Sequence, residues 1–143
     1  MTKPSNILIP FDGSANAERA VLYATALAQS FHSYEIHLLN VQPSVGGGVS
    51  TFVGKGDIED WHRDEAEKAL AGGKRLLDAA GLSYKIHIGV GIPGDVIAAF
   101  AKKLECGQIV MGTRGLGSTL GLLLGSVAQH VVSHVDVPVT LIK

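Results

Sequence analysis

Short apolar runs and segments of helical periodicity take turns along this chain, and that alternation constrains its fold more than any motif does. Ile7, Leu8, Ile9, Pro10 and Phe11 form an apolar run that stops at Asp12, Gly13 and Ser14, which read as a turn followed by a helix cap. Ala17, Val21, Ala24, Ala28 and Phe31 then recur at the spacing of one helical face. The unit repeats. Glu35 to Val41 is predicted as a second strand, and Asp57 to Ala80 as a long helix with Ala66, Ala69, Leu70, Gly73, Leu76, Leu77 and Ala80 inward, ended by Gly81. Tyr84 to Val90 is a third strand. Pro93 suits the first turn of a further helix, in which Val96, Ile97, Phe100, Ala101 and Leu104 share a face. Gln108 to Met111, a last helix from about Ser126 to His134, and Pro138 to Ile142 complete the series.

Strands that alternate with helices in this way pair in parallel, because parallel neighbours need right-handed helical crossovers. The expectation is an α/β fold: a single doubly wound, five-stranded parallel sheet with helices on both faces. With 143 residues the chain has room for one domain, 1–143, and its 46% hydrophobic content suits a well-buried sheet. The connection from Gln42 to Gly56 is long, carries Gly46, Gly47, Gly48, Gly54 and Gly56, and is read as a flexible loop near the ligand end.

Several function classes lose support at once. Twelve basic residues against thirteen acidic ones leave a net charge of −1, so no global field attracts nucleic acid or an acidic membrane. Cys106 is the single cysteine, which excludes an internal disulfide and suits a small packing residue. No apolar stretch of about 18 residues is available to span a bilayer. Residues Met1 to Asn6 lack the basic-then-apolar layout of a signal peptide, which makes the cytoplasm the expected location.

The residues that carry chemistry follow the fourth strand. Gly112, Thr113, Arg114 and Gly115 are separated by nine residues from Gly125 and Ser126, at the start of the final helix. Glycines let backbone N–H groups approach a phosphate, and a helix N-terminus adds unpaired donors and partial positive charge. Plain turn-making is the competing role for these glycines, and Ser126 with Gln129 also has the spacing of a capping box.

The spacing Gly112-x2-Gly115-x9-Gly125-Ser126 resembles the signature of ATP-binding universal stress proteins, with every fixed position filled. The resemblance extends over nearly the whole chain: the opening from Ile7 to Ser14, a second strand through His37 and Val41, the glycine loop, and the closing Val137 to Ile142. It implies the Rossmann-like strand order 3-2-1-4-5. It also implies an adenine nucleotide, ATP with or without Mg2+, with Asp12 beside the adenosine and the backbones of Pro10, Phe11 and Val41 near the base. Met111 would line the same cleft, and Gly112, Arg114, Gly115, Gly125, Ser126 and the N–H of Val127 would hold the phosphates. A carboxylate at a strand's C-terminal end can accept hydrogen bonds from ribose hydroxyls, and ligands of open α/β sheets sit where strand order reverses. Asp12 has a second reading as the acceptor of an Asx-turn, and Arg114 as a solvated side chain.

Other patterns resemble chemistry less well. Gly89-Val90-Gly91-Ile92-Pro93-Gly94 is a literal G-x-G-x-x-G, but it lies outside the first strand-helix unit, and no acidic residue ends the next strand. His130 and His134 share a helix face yet are too few to hold a metal, and placement at a helix C-terminus or exposure suits them better. His32, His37, His62 and His87 suggest no cluster. No G-x-S-x-G elbow and no G-x-x-x-x-G-K-[ST] loop occur, so a bound nucleotide is read as a signal and not as a substrate turned over. Trp61 is expected to cover the sheet edge, with an exposed partner contact as the alternative. Val137, Val139, Leu141 and Ile142 form an apolar edge strand, through which the resemblance implies homodimerisation. The alternatives to an ATP-binding stress-response or signalling module are a dimeric interaction module that binds no nucleotide, and a slow ATPase using Arg114.

Overall fold

The computed structural model describes residues 3–31, 33–44, 55–114 and 124–143. Its elements follow the alternation read from sequence: β1 (Lys3–Pro10), α1 (Ala15–Ser30), β2 (Glu35–Gln42), α2 (Lys55–Ala79), β3 (Tyr84–Val90), α3 (Pro93–Lys103), β4 (Cys106–Gly112), α4 (Ser126–His134) and β5 (Val139–Ile142). All four pairings are parallel, and the strand order is β3-β2-β1-β4-β5. β1 therefore lies at the centre. Ile7 pairs with Ile36 on one side and with Gln108 on the other, while β4 pairs Ile109 with Val139 at the edge.

Parallel strands buried on both faces send alternate side chains into two separate cores. Ile7, Ile9, Phe11, Ile36, Leu38 and Val110 face α1 and α2, whose Ala17, Ala20, Val21, Ala24, Ala66, Leu70 and Leu77 close over them. Leu8, Leu39, Ile109 and Met111 face the other way, onto Ile97 and Ala101 of α3 and Ala128 and Val131 of α4. Truncating any of the fully buried Ile or Leu side chains to Ala is a change of the kind that costs about 2–5 kcal/mol. The inward stripe of α1 is mostly alanine, with Val21 beside them and Asn16 and Thr25 as its polar members. α2 comes close through Gly73, whose Cβ would meet the Leu38 side chain at 3.0 Å and the Phe11 ring at 3.2 Å.

Two sequence expectations need correction here. Phe31 does not continue the buried face of α1; it is the residue at the C-terminal cap, 59% exposed, and meets Tyr34 edge to face. Trp61 does not cover the sheet edge; it is 49% exposed on α2, its ring beside that of His62. Of the connection expected at 42–56, residues 45–54 lie outside the described residues. Among the described residues no helix is long and apolar enough to cross a membrane.

Candidate functional site

Where β1 stops, the turn is built from side chains. Asp12 Oδ1 accepts the N–H of Ser14 at 2.9 Å, and Gly13 takes the left-handed φ of +86° that the turn needs. Ser14 Oγ in turn accepts the N–H of Ala17 at 3.1 Å and caps α1. The Asx-turn reading of Asp12 is thus realised, at a half-buried position just past the C-terminal end of β1.

Where β4 stops, the chain is held by a residue that the sequence reading passed over. Asn16, in the first turn of α1, accepts the N–H of Arg114 on Oδ1 at 2.7 Å and donates from Nδ2 to the Ile142 carbonyl at 2.8 Å. That carbonyl also accepts the N–H of Thr113 at 2.9 Å, and the Thr113 carbonyl accepts the N–H of Gly125 at 2.6 Å. Gly112 is glycine for a reason visible here: a Cβ would overlap the Asn16 amide. Arg114 has its backbone N–H engaged and its residue exposed, so its guanidinium is the part able to reach an anion. A signal for Asn16 existed in the sequence, since it is a polar residue on the stripe that continues through Ala20 and Ala24.

The start of α4 corrects the capping-box expectation. The N-cap is Gly125, without a side-chain cap bond, and Ser126 lies inside the helix. Gln129 reaches back to the Leu124 carbonyl at 2.9 Å and not to the serine's N–H. Among the described residues no side chain accepts from the first turn of α4, and a helix N-terminus is electrostatically suited to an anion. Ser126 is exposed there, Val127 is half-buried against the second core cluster, and Met111 is buried in that cluster. Gly115, with the rest of 115–123, lies outside the described residues.

The remaining positions flank the exit of β2. Phe11 donates its N–H to the Leu39 carbonyl at 2.8 Å, and its own carbonyl accepts Asn40 Nδ2 at 2.9 Å. Gln42 Nε2 completes the buried chain on Asn40 Oδ1 at 2.6 Å. Pro10 and Val41 are half-buried alongside. His62 of α2, buried, ties the helix to this edge through Nε2 and the Pro43 carbonyl at 3.0 Å.

The other glycine pattern is accounted for by packing. A Cβ on Gly89 would overlap Val96, one on Gly94 would overlap the His130 ring, and Gly91 has a φ of +142°. His130 Nε2 lies 2.8 Å from Asp95 Oδ1, and His134 Nδ1 lies 2.8 Å from the His130 carbonyl oxygen. Among the described residues no group of three or more His, Cys, Asp or Glu could hold a metal. His37 and His87, expected to be scattered, form a stacked pair instead, with Nδ1 of the first 2.9 Å from Nε2 of the second. Adjacent parallel strands bring them together on one face. Burial lowers the pKa of both; at His37 Glu35 opposes this and Lys85 adds to it, while at His87 His37, Lys103 and Lys85 add to it. Cys106 is buried and its thiol is pushed up to about 11, mainly by burial, in keeping with a packing role.

Three comparisons bear on this architecture. The universal stress protein MJ0531 of Methanocaldococcus jannaschii is 32% identical over 140 residues, covering 96% of this chain and 81% of that one. The solved structure of the protein MJ0577 is 29% identical and superposes with a TM-score of 0.82 over 97% of this chain and 95% of the other. A universal stress protein from Archaeoglobus fulgidus, solved in complex with dAMP, is 26% identical with a TM-score of 0.68 over 100% of both chains. The model of the universal stress protein family matches residues 4–143, and the chain belongs to that family.

Proposed function

We propose that this protein binds an adenine nucleotide, ATP with or without Mg2+, in the crevice between the ends of β1 and β4, and acts as a nucleotide-dependent stress-response or signalling module. The observation that carries the reading is the N-terminus of α4, where Gly125 is the cap and makes no side-chain cap bond. It is tied through Gly125 to the end of β4, on the same sheet edge as the Asp12 turn and beside the reversal of strand order between β1 and β4. In this reading Asp12 meets the ribose, the backbones of Pro10, Phe11 and Val41 and the side of Met111 bound the base, and Gly112, Arg114, Gly115, Gly125, Ser126 and Val127 surround the phosphates. The dAMP complex of the Archaeoglobus fulgidus relative supports an adenine ligand. The role is binding and not turnover, in the cytoplasm, as a homodimer paired through residues 137–142, where β5 forms a half-buried sheet edge.

Calorimetric titration with ATP and Mg2+ tests it, beside a Gly115→Ala, Gly125→Ala double variant. Saturable binding by the wild type and its loss in the variant are expected. A folded, nucleotide-free wild type that binds nothing up to about millimolar ATP, an affinity of only about 4 kcal/mol, would overturn the reading. Multiple turnovers per minute of phosphate release would instead mark a slow ATPase.

A second reading, an interaction module without nucleotide, has one observation in its favour. Asp12, Gly112 and the Arg114 N–H each have a structural task that would remain in a chain with no ligand.

A further inference from the structure

We propose that Asn16 is a positioning residue for the phosphate end of the site, fixing the entry of the glycine loop and joining it to the edge strand. The inference rests on the nucleotide reading above and names a residue that the signature does not contain. Asn16 is 7% exposed, an uncharged amide on the buried side of α1, which is otherwise apolar but for Thr25. A buried amide persists where its donor and acceptor are both used, because an unmade bond there is costly. Here both ends of the amide are committed to backbone: Oδ1 to the Arg114 N–H, Nδ2 to the Ile142 carbonyl.

These bonds do two things for a phosphate ligand. They remove the Arg114 N–H from the available donors and set the direction in which the chain leaves β4, so the Arg114 side chain departs from a fixed point. They also place Thr113 and Asn16 on one acceptor, the Ile142 oxygen, while the Thr113 carbonyl holds Gly125 at the cap of α4. The route from β5 to the phosphate-facing helix end is therefore a continuous run of hydrogen bonds: Ile142, Thr113, Gly125. Asn16 braces that run from α1, and Gly112 leaves the room for it to do so. In the nucleotide reading the members of this run that meet the ligand, Arg114 and Gly125, are assigned to the phosphates and none to the base or ribose, so the contribution of Asn16 is directed at the phosphates.

That assignment gives the test. The full chain is titrated with ATP and with adenosine, as wild type and as Asn16→Ala. Loss of the two bonds is expected to weaken ATP binding about tenfold and to leave adenosine binding within about twofold. α1 keeps a separate tie to the chain end, from Arg19 Nε to the Lys143 carbonyl at 2.7 Å, which favours a folded variant. Equal weakening of both ligands, or no weakening of ATP, overturns the inference while the nucleotide reading stands. A wild type that binds neither ligand overturns both. If Asn16→Ala does not fold, amide exchange in the wild type decides: ATP is expected to protect the Thr113 and Arg114 amides more than adenosine does, and equal protection refutes the positioning role.

Discussion

Of the strand-to-helix junctions punctuated by glycine, the one between β3 and α3 and the one between β4 and α4 do opposite things with it. Between β3 and α3, the spaces left by Gly89 and Gly94 are taken by Val96 and Phe100 of α3 and by the His130 ring of α4. The junction is closed by side chains. Between β4 and α4, the space at Gly112 is taken by an amide, and Gly125 begins a helix that no side chain among the described residues caps. That junction places a helix N-terminus beside the reversal of strand order. A glycine pattern therefore reports close approach in general, and only the identity of what approaches separates packing from binding.

Substitution should separate the two junctions most strongly. Gly89→Val overlaps Val96 and crowds Phe100, and is expected to destabilise the fold by about 3 kcal/mol in urea denaturation. Gly125→Ala, at a φ of −70° that any residue adopts, should cost less than about 1 kcal/mol. Similar costs at both positions would break the contrast.

Acid should act on the closed junction through its histidine pair. His87 neighbours Gly89's strand position and meets Phe100 and His37, so the histidine pair is part of that packing. Both histidines have pKa values lowered below the usual 6.5, chiefly by burial. The unfolded chain then takes up protons at a higher pH than the folded one. Their contribution is present in full above pH 6.5 and is lost as the pH falls through the folded values. His37 Nε2 is buried 3.4 Å from Glu35 Oε1 without a hydrogen bond, so Glu35 offsets only part of that penalty. Melting temperature should drop on acidification below pH 6.5, with amide exchange rising in β3 before β4. A His87→Gln variant with an unchanged acid slope would remove the pair from the explanation.

The smallest effect is expected at the turn that both readings of the site share. Asp12→Asn keeps an oxygen able to accept the Ser14 N–H, so stability should stay within about 0.5 kcal/mol. ATP affinity should fall about fivefold if the carboxylate also serves a ribose, since hydrogen bonds to charged groups are the stronger ones. Titration of this variant distinguishes a turn residue from a ligand residue.

Much of this was legible in the residues because periodicity is a local property. The alternation from Ile7 to Ile142 placed every element, and α4 and β3 coincide with the spans read from sequence. Ser14 was readable as a cap because capping needs only the next few residues. What was illegible required distant partners. The pairing of His37 with His87 depends on the register that sets Leu39 opposite His87, and Asn16 acquires its meaning from residues about a hundred positions away. The capping box failed for a different reason: Gly125 holds the cap position, so Ser126 lies inside the helix and Gln129 turns to the Leu124 carbonyl instead.

The carbonyl of Ile142 gives the edge strand a thermodynamic stake in the crevice. It is the last residue of β5, and its oxygen receives both Thr113 and Asn16. Any coupling between two binding events is reciprocal: what occupancy of one does to the other, the other must do in return. If a second chain pairs along β5 and shifts that oxygen, apparent nucleotide affinity becomes a function of protein concentration. Dilution would then change the ligand's binding curve, and the ligand would change the point at which the chains part.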